Sequence, residues 1–284
     1  MSIVDYIDPP NGELRLVVPV KPIPTITRIR RVLLSPNSIR CLSVLVFFIV
    51  WEFAGRRANP LFMAPPSKIW IASIDLWHTG LLQRAIGQSL APFLMGLFLT
   101  IVIGIGIGIA IAQSRSLEYI LDPFINALCA IPRIALVPLI ILWAGLEFWG
   151  KVAIMTSTAV FPVIINTYSG IRDVRGSMLE IGRAYCATEL QIFFKITLPA
   201  ALPFIMAGVR LSVGLCITGI VVAEFFTAIS GLGGMIVEYS NVFATAKLFV
   251  PITIIAFVGV ALTEGVQWLE RRLSRWRILE RERG

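Results

Sequence analysis

Charge is what this sequence has least of. Asp, Glu, Lys and Arg make up 15% of its 284 residues, where a soluble domain carries about 25%. Too few polar groups remain to cover a water-facing surface, which excludes an ordinary soluble enzyme. A disordered chain is excluded too, because disorder goes with low hydrophobicity and high charge. Histidine occurs once, at His78, and the four cysteines (Cys41, Cys129, Cys186, Cys216) include no CxxC pair. A metal centre and a secreted disulfide scaffold therefore lack their ligands and partners. The four thiols are expected to be small buried apolar residues, and His78 to face an interface. No Ser/His/Asp or paired-carboxylate arrangement is legible, so no catalytic residue, bound metal or resident cofactor is expected.

What is present is apolar. Hydrophobic residues make up 57% and the mean hydropathy is +0.83. The apolar runs are Ile39 to Ala54, Ile86 to Ala112, Ile125 to Leu146, Val152 to Tyr168, Leu202 to Ile229 and Ala246 to Leu269. A transmembrane helix needs about 20 such residues. The reading is an all-α polytopic membrane protein with six spans. Residues 1–38, with prolines from Pro9 to Pro36, are expected to form an extended arm, and they lack the pattern of a signal peptide. In the mixed stretch after the first run, Ser67 is expected to cap a short helix carrying Trp70 and Trp77.

Lys and Arg set the orientation. With both termini cytoplasmic, 17 of the 25 basic residues fall inside, as the positive-inside rule requires. The clusters at Arg28 to Arg31 and in residues 271–283 flank apolar spans, so the +8 net charge points to a membrane surface and not to nucleic acid.

Some residues inside the runs need a reason. Gly104 and Gly108, four apart, permit close helix packing. Pro132 and Pro138 should kink the third run. Between them Arg133 sits roughly 12 Å deep at 1.5 Å per residue, where a charge costs about 2.5–3.5 kcal/mol. It should line a translocation pathway together with Pro132 and Pro138, unless it snorkels or pairs with an acid such as Glu118. Glu224, in the fifth run, should line the pathway or serve a dimer interface. Arg210, nearer the cytoplasmic end, should snorkel. Gly145, Gly150 and Lys151 imitate a phosphate loop, but Val152 replaces the magnesium-binding hydroxyl and no strand precedes.

The most informative stretch is too polar to span: "RGSMLEIGRAYCATELQIFFKITLPAALP". Ser177 and Glu180 have the spacing of a capping box, as do Thr188 and Gln191. Two short helices follow, Met178 to Tyr185 and Glu189 to Ile196, the second ended by Pro199. They carry Leu179, Tyr185, Leu190, Ile192, Phe193 and Phe194, an apolar content that marks a docking surface or packs back on the bundle.

This stretch resembles the cytoplasmic loop of permease subunits of bacterial ABC importers, patterned E-A-A, three residues, G, nine residues, I-x-L-P. Glu180, Ile196, Leu198 and Pro199 fall on the pattern, Ile181 and Gly182 replace the alanines, and Cys186 replaces the glycine that would permit a positive φ. "IPRIALVPLIILWAG", "PLFMAPPSKIW", "GQSL", "FPVIINTYSGI", "VVAEFF" and "GLGGMI" are also similar, in order, to segments of the nitrate, sulfonate, taurine and bicarbonate subgroup. The resemblance implies a six-helix type I importer transmembrane domain over residues 39–273, with coupling helices within 176–197 and a basic cytoplasmic tail at 274–284. It implies an inner-membrane location in a bacterium and a homodimer with a second copy of the chain. Two ATPase subunits, bringing ATP and magnesium, would dock at the loop, and an extracytoplasmic binding protein would deliver a small anionic solute. An ATP-independent secondary transporter or a channel-like protein is the alternative, and neither explains the apolar double helix.

Overall fold

The computed structural model describes residues 36–227 and 230–273. The Pro-rich arm up to residue 35 and the basic tail at 274–284 lie outside the described residues. The chain forms two units that divide after Ala54. The described part of the first lies within helix α1 (Pro36–Arg57), an apolar helix whose last three residues fall past the division. The second contains α2 (Pro66–His78), α3 (Leu81–Gln113), α4 (Arg115–Ala130), α5 (Val137–Ala144), α6 (Phe148–Arg172), α7 (Gly176–Ala184), α8 (Glu189–Ile192), α9 (Leu198–Phe226), α10 (Gly231–Asn241) and α11 (Thr245–Leu273). No strand occurs among the described residues.

The second unit is organised around α6. Gly96, Gly104 and Gly108 of α3 face Met155, Val163 and Thr167 of α6, and a β-carbon on each glycine would come within 2.6 Å of those side chains. Sequence numbers rise together along this contact, so α3 and α6 run parallel with their four-residue rows matched. On the other side of α6, Gly170 faces Phe204, Gly208 faces Asn166 and Gly219 faces Met155, so α9 runs antiparallel to it. Gly259 lies against Ile217 and Arg210 pairs with Glu270, which makes α11 antiparallel to α9. Gly104 and Gly108 both lie in this close contact, and Gly96 extends their row.

Because α3 and α6 are parallel, the chain between them must return to the opposite end of the bundle. The third run does this as a broken pair, Arg115–Ala130 and Arg133–Ala144, bent by 96°. The break is larger than a kink and its cause is local. Pro132 disfavours the helical region at Ile131, which is extended (φ −73, ψ 130). A 3₁₀ turn, Arg133–Leu136, follows, and Pro138 sits in the first turn of α5, where its missing N–H costs nothing. Among the described residues, five helices are long and apolar enough to cross a membrane, and counting the bent pair as one span makes six.

Other local expectations change. Pro65, not Ser67, is the N-cap of α2, since Pro66 at the first helical position starts the helix two residues earlier. Of the thiols, Cys216 is buried, whereas Cys41, Cys129 and Cys186 are exposed. On a lipid-facing chain an apolar thiol need not be buried in protein.

Candidate functional site

Two places carry unusual residue chemistry, one at each end of the bundle. The loop between α6 and α9 lies at the end where α3 and α11 finish. Here α7 begins with the Met178 N–H donating to the Arg175 carbonyl (3.0 Å), so Ser177 is already inside the helix and no side chain caps it. The expected Ser177–Glu180 capping box is absent, and Glu180 is exposed. At the other end of α7 the Ala187 N–H donates to the Gly182 carbonyl (3.1 Å) and the Cys186 N–H to the Arg183 carbonyl (2.9 Å). That pair of bonds is a Schellman closure, and Cys186 occupies its left-handed position at φ 53. The backbone thus keeps the conformation for which the family pattern uses glycine.

The second half begins with a complete capping box. The Gln191 N–H donates to Thr188 Oγ1, and the Gln191 side chain accepts from the Thr188 N–H. Pro199 does not end this helix. A π turn, Phe193–Thr197, follows α8, and the Leu198 N–H donates to the Phe193 carbonyl. Pro199 then stands in the first turn of α9, so Glu189–Phe226 is one 38-residue stretch. The widened turn is a local adjustment of the backbone next to a residue with no N–H to give.

Side chains divide cleanly across this loop. Gly182 is buried, and a β-carbon on it would lie 2.9 Å from Ile196 and 3.0 Å from Ile192, so α7 and α8 touch there. Phe193 packs inward with Leu198 on the cluster of Ile171, Ala201 and Ile205. It is therefore a bundle residue and not part of an exposed docking face. The outward side carries Ile181, Tyr185, Leu190 and Phe194, between 57% and 84% exposed, with an Arg183–Glu189 ion pair (3.6 Å) beside them.

At the opposite end lies a buried polar cluster. Glu224 is 1% exposed. Its Oε1 accepts from Ser89 Oγ (2.6 Å) and its Oε2 from the Gly233 N–H (2.7 Å). Lys151 Nζ stands 3.9 Å from Oε1 and donates to Ser230 Oγ (2.8 Å). Gln88 Oε1 accepts from the Gly231 N–H (3.0 Å), and Ser89 Oγ from the Leu232 N–H (2.8 Å). Gly231 and Gly233 are needed because a β-carbon would lie 2.2 Å from Oε1 or 2.7 Å from Glu224 Cβ.

The expected pathway residues do not assemble. Arg133 is half-buried, with its guanidinium over the Phe161 ring (5.4 Å) and its Nε without a hydrogen-bond partner. Pro132 and Pro138 flank it, exposed. Glu118 pairs with Arg172 instead, and Arg210 pairs with Glu270 where snorkelling was expected. Glu224 is committed to contacts within its own chain. Sequence reasoning missed Gln88, Ser89 and Ser230, and set Lys151 aside as part of a false phosphate loop. The available signal was a lysine at the edge of an apolar run with an unpaired acid in another.

A family model described as "Binding-protein-dependent transport system inner membrane component" matches residues 101–275. The chain belongs to this family. The permease is 40% identical to a putative aliphatic sulfonates transport permease of Bacillus subtilis over 82% of this chain and 85% of that one. It is 31% identical to a formylaminopyrimidine transport permease of Halalkalibacterium halodurans (83% and 94% covered). It is 29% identical to the taurine transport system permease of Escherichia coli (84% and 89%). Among solved structures, an inward-facing methionine ABC transporter matches with TM-score 0.58 at 21% identity, over 70% of this chain and 96% of that one, which is a likeness of fold. The permease is a membrane subunit of a binding-protein-dependent ABC importer, and the secondary-transporter and channel readings fall away.

Proposed function

We propose that this permease carries a small anionic solute of the sulfonate class across the bacterial inner membrane, as a homodimer joined by two ATPase subunits at the loop of residues 176–197. One observation carries the docking reading: Ile181, Tyr185, Leu190 and Phe194 are exposed on two short helices whose other faces are closed by Gly182, Ile192 and Phe193. An apolar patch at a polar end of the bundle is a surface for another protein. Hydrolysis of ATP, with its magnesium, belongs to the partner subunits, and an extracytoplasmic binding protein delivers the solute. Support for the sulfonate class comes from the relatives named for aliphatic sulfonates and taurine. Support for cytoplasmic termini comes from the basic residues Arg172, Arg175, Arg183, Lys195, Arg271 and Arg272 at the loop end, read with the positive-inside rule.

The test is joint purification. The Tyr185→Asp/Leu190→Asp permease should reach the membrane at normal levels and lose at least tenfold of its ATPase subunit. Recovery at wild-type stoichiometry would sink the docking reading. Uptake of a labelled aliphatic sulfonate, against labelled formylaminopyrimidine as competitor class, decides the solute.

A further inference from the structure

The docking loop and the buried cluster stand at opposite ends of one element. Glu189–Phe226 is 38 residues long, about 57 Å at 1.5 Å per residue, enough to cross the whole membrane. Thr188 caps one end in the loop. Glu224 sits two residues from the other.

At that far end, α10 has no cap of its own. Its N-cap Ser230 makes no side-chain cap bond. The first three N–H groups of a helix have no partner within it, and here each is met by a side chain from elsewhere: Gly231 by Gln88, Leu232 by Ser89, Gly233 by Glu224. Two acceptors come from α3 and one from α9, while Lys151 of α6 reaches Ser230 and Glu224. Three long helices therefore hold the start of α10, and α9 among them continues to the docking loop. A helix that moves on its axis must drag this cluster or break it, because buried acceptors and an ion pair left unpartnered are strongly disfavoured.

We infer that Glu224 is a positioning residue that ties α10 to the end of α9, so that movement imposed on the loop by the ATPase subunits is delivered to α10 at the opposite face. The inference rests on the docking reading above. It gives a role to the Lys151 that imitates a phosphate loop and to "VVAEFF" and "GLGGMI", which supply Glu224 and the start of α10.

Amide hydrogen exchange of the assembled transporter tests it without knowledge of the solute. The probe is ATP with vanadate against nucleotide-free complex. In the wild type, the loop of residues 176–197 should be protected by the ATPase subunits, and amides of Gly231–Asn241 should change exchange at least threefold when nucleotide is trapped. In Glu224→Ala the loop should stay protected while the α10 response disappears. Ser89→Ala keeps the ion pair and removes one bond to α10 and one to Glu224; it should lose most of the response, and it carries the test alone if Glu224→Ala does not assemble. A wild-type α10 indifferent to nucleotide, or variants that respond as the wild type does, would overturn the inference. An unprotected loop in the wild type would instead defeat the docking reading.

Discussion

Gly182 of α7 and Ile196 of the π turn are in such close contact that a β-carbon on the glycine would lie 2.9 Å from Ile196 Cδ1. The family pattern has alanine at this position. Here the two short helices are drawn together by one side chain fewer, with the long isoleucines Ile192 and Ile196 filling the space. Ala at Gly182 asks the flexible tip of Ile196 to move by a few tenths of an ångström, whereas Leu has nowhere to go. Gly182→Leu should cost about 1–3 kcal/mol of local stability, read as faster proteolysis after Arg183 and weaker recovery of the ATPase subunit, with Gly182→Ala near wild type.

Cys186 stands at φ 53 in the closure of α7. A left-handed residue with a β-carbon costs about 1–2 kcal/mol, offset in part because glycine is more mobile when unfolded. Cys186→Gly should therefore keep full uptake and leave the loop as resistant to proteolysis as before, or more so. Cys186→Val, β-branched at positive φ, should lose both.

Gly108 and Gly106 lie two residues apart in α3 with opposite surroundings. A β-carbon at Gly108 would stand 2.6 Å from Thr167 Cβ and 2.9 Å from the Ile164 carbonyl, while one at Gly106 meets nothing within 4 Å. Gly108→Ala should lower the thermal midpoint of the purified permease, at about 1–3 kcal/mol. Gly106→Ala should leave it unchanged or raise it slightly, through helix propensity.

Arg210 and Glu270 form an ion pair between α9 and α11. Replacing Arg210 by Met strands the acid near the membrane boundary, so the amount of folded protein in the membrane should fall. The reversed pair, Arg210→Glu with Glu270→Arg, should restore most of it. A snorkelling Arg210 would show no such rescue.

These cases also show where sequence reasoning reached and where it stopped. The Thr188–Gln191 box was legible because capping is a contact between residues three apart. The identical spacing at Ser177 and Glu180 misled, because where α7 starts depends on how the chain leaves α6, and the first turn closes on Arg175. Glu224 could be singled out as a buried charge, but its partners lie on α3, α6 and α10, separated from it by as much as 135 positions. The broken third span was visible in Pro132 and Pro138, although its 96° bend needed the parallel course of α3 and α6. The sequence does not separate the exposed from the buried side chains of the loop, since a short helix has no long period from which to read a face.

The π turn after α8 has an effect on the phase of the helix as a whole. Buried positions run Ile192, Thr197, Ala201, Ile205: one step of five residues, then steps of four. The wide turn holds one residue more than an α turn, which winds everything before it back by about 100° relative to α9. Without that extra residue, the line of inward side chains would reach Phe193, and Ile192 would swing away from Gly182. With it, Ile192 takes the buried place against Gly182, Phe193 sits half-buried beside it, and Phe194 stays outside. A single surplus residue thus sets the angle at which the whole loop is presented, and deleting one residue from 193–197 would rotate its outer face by more than a quarter of a circle.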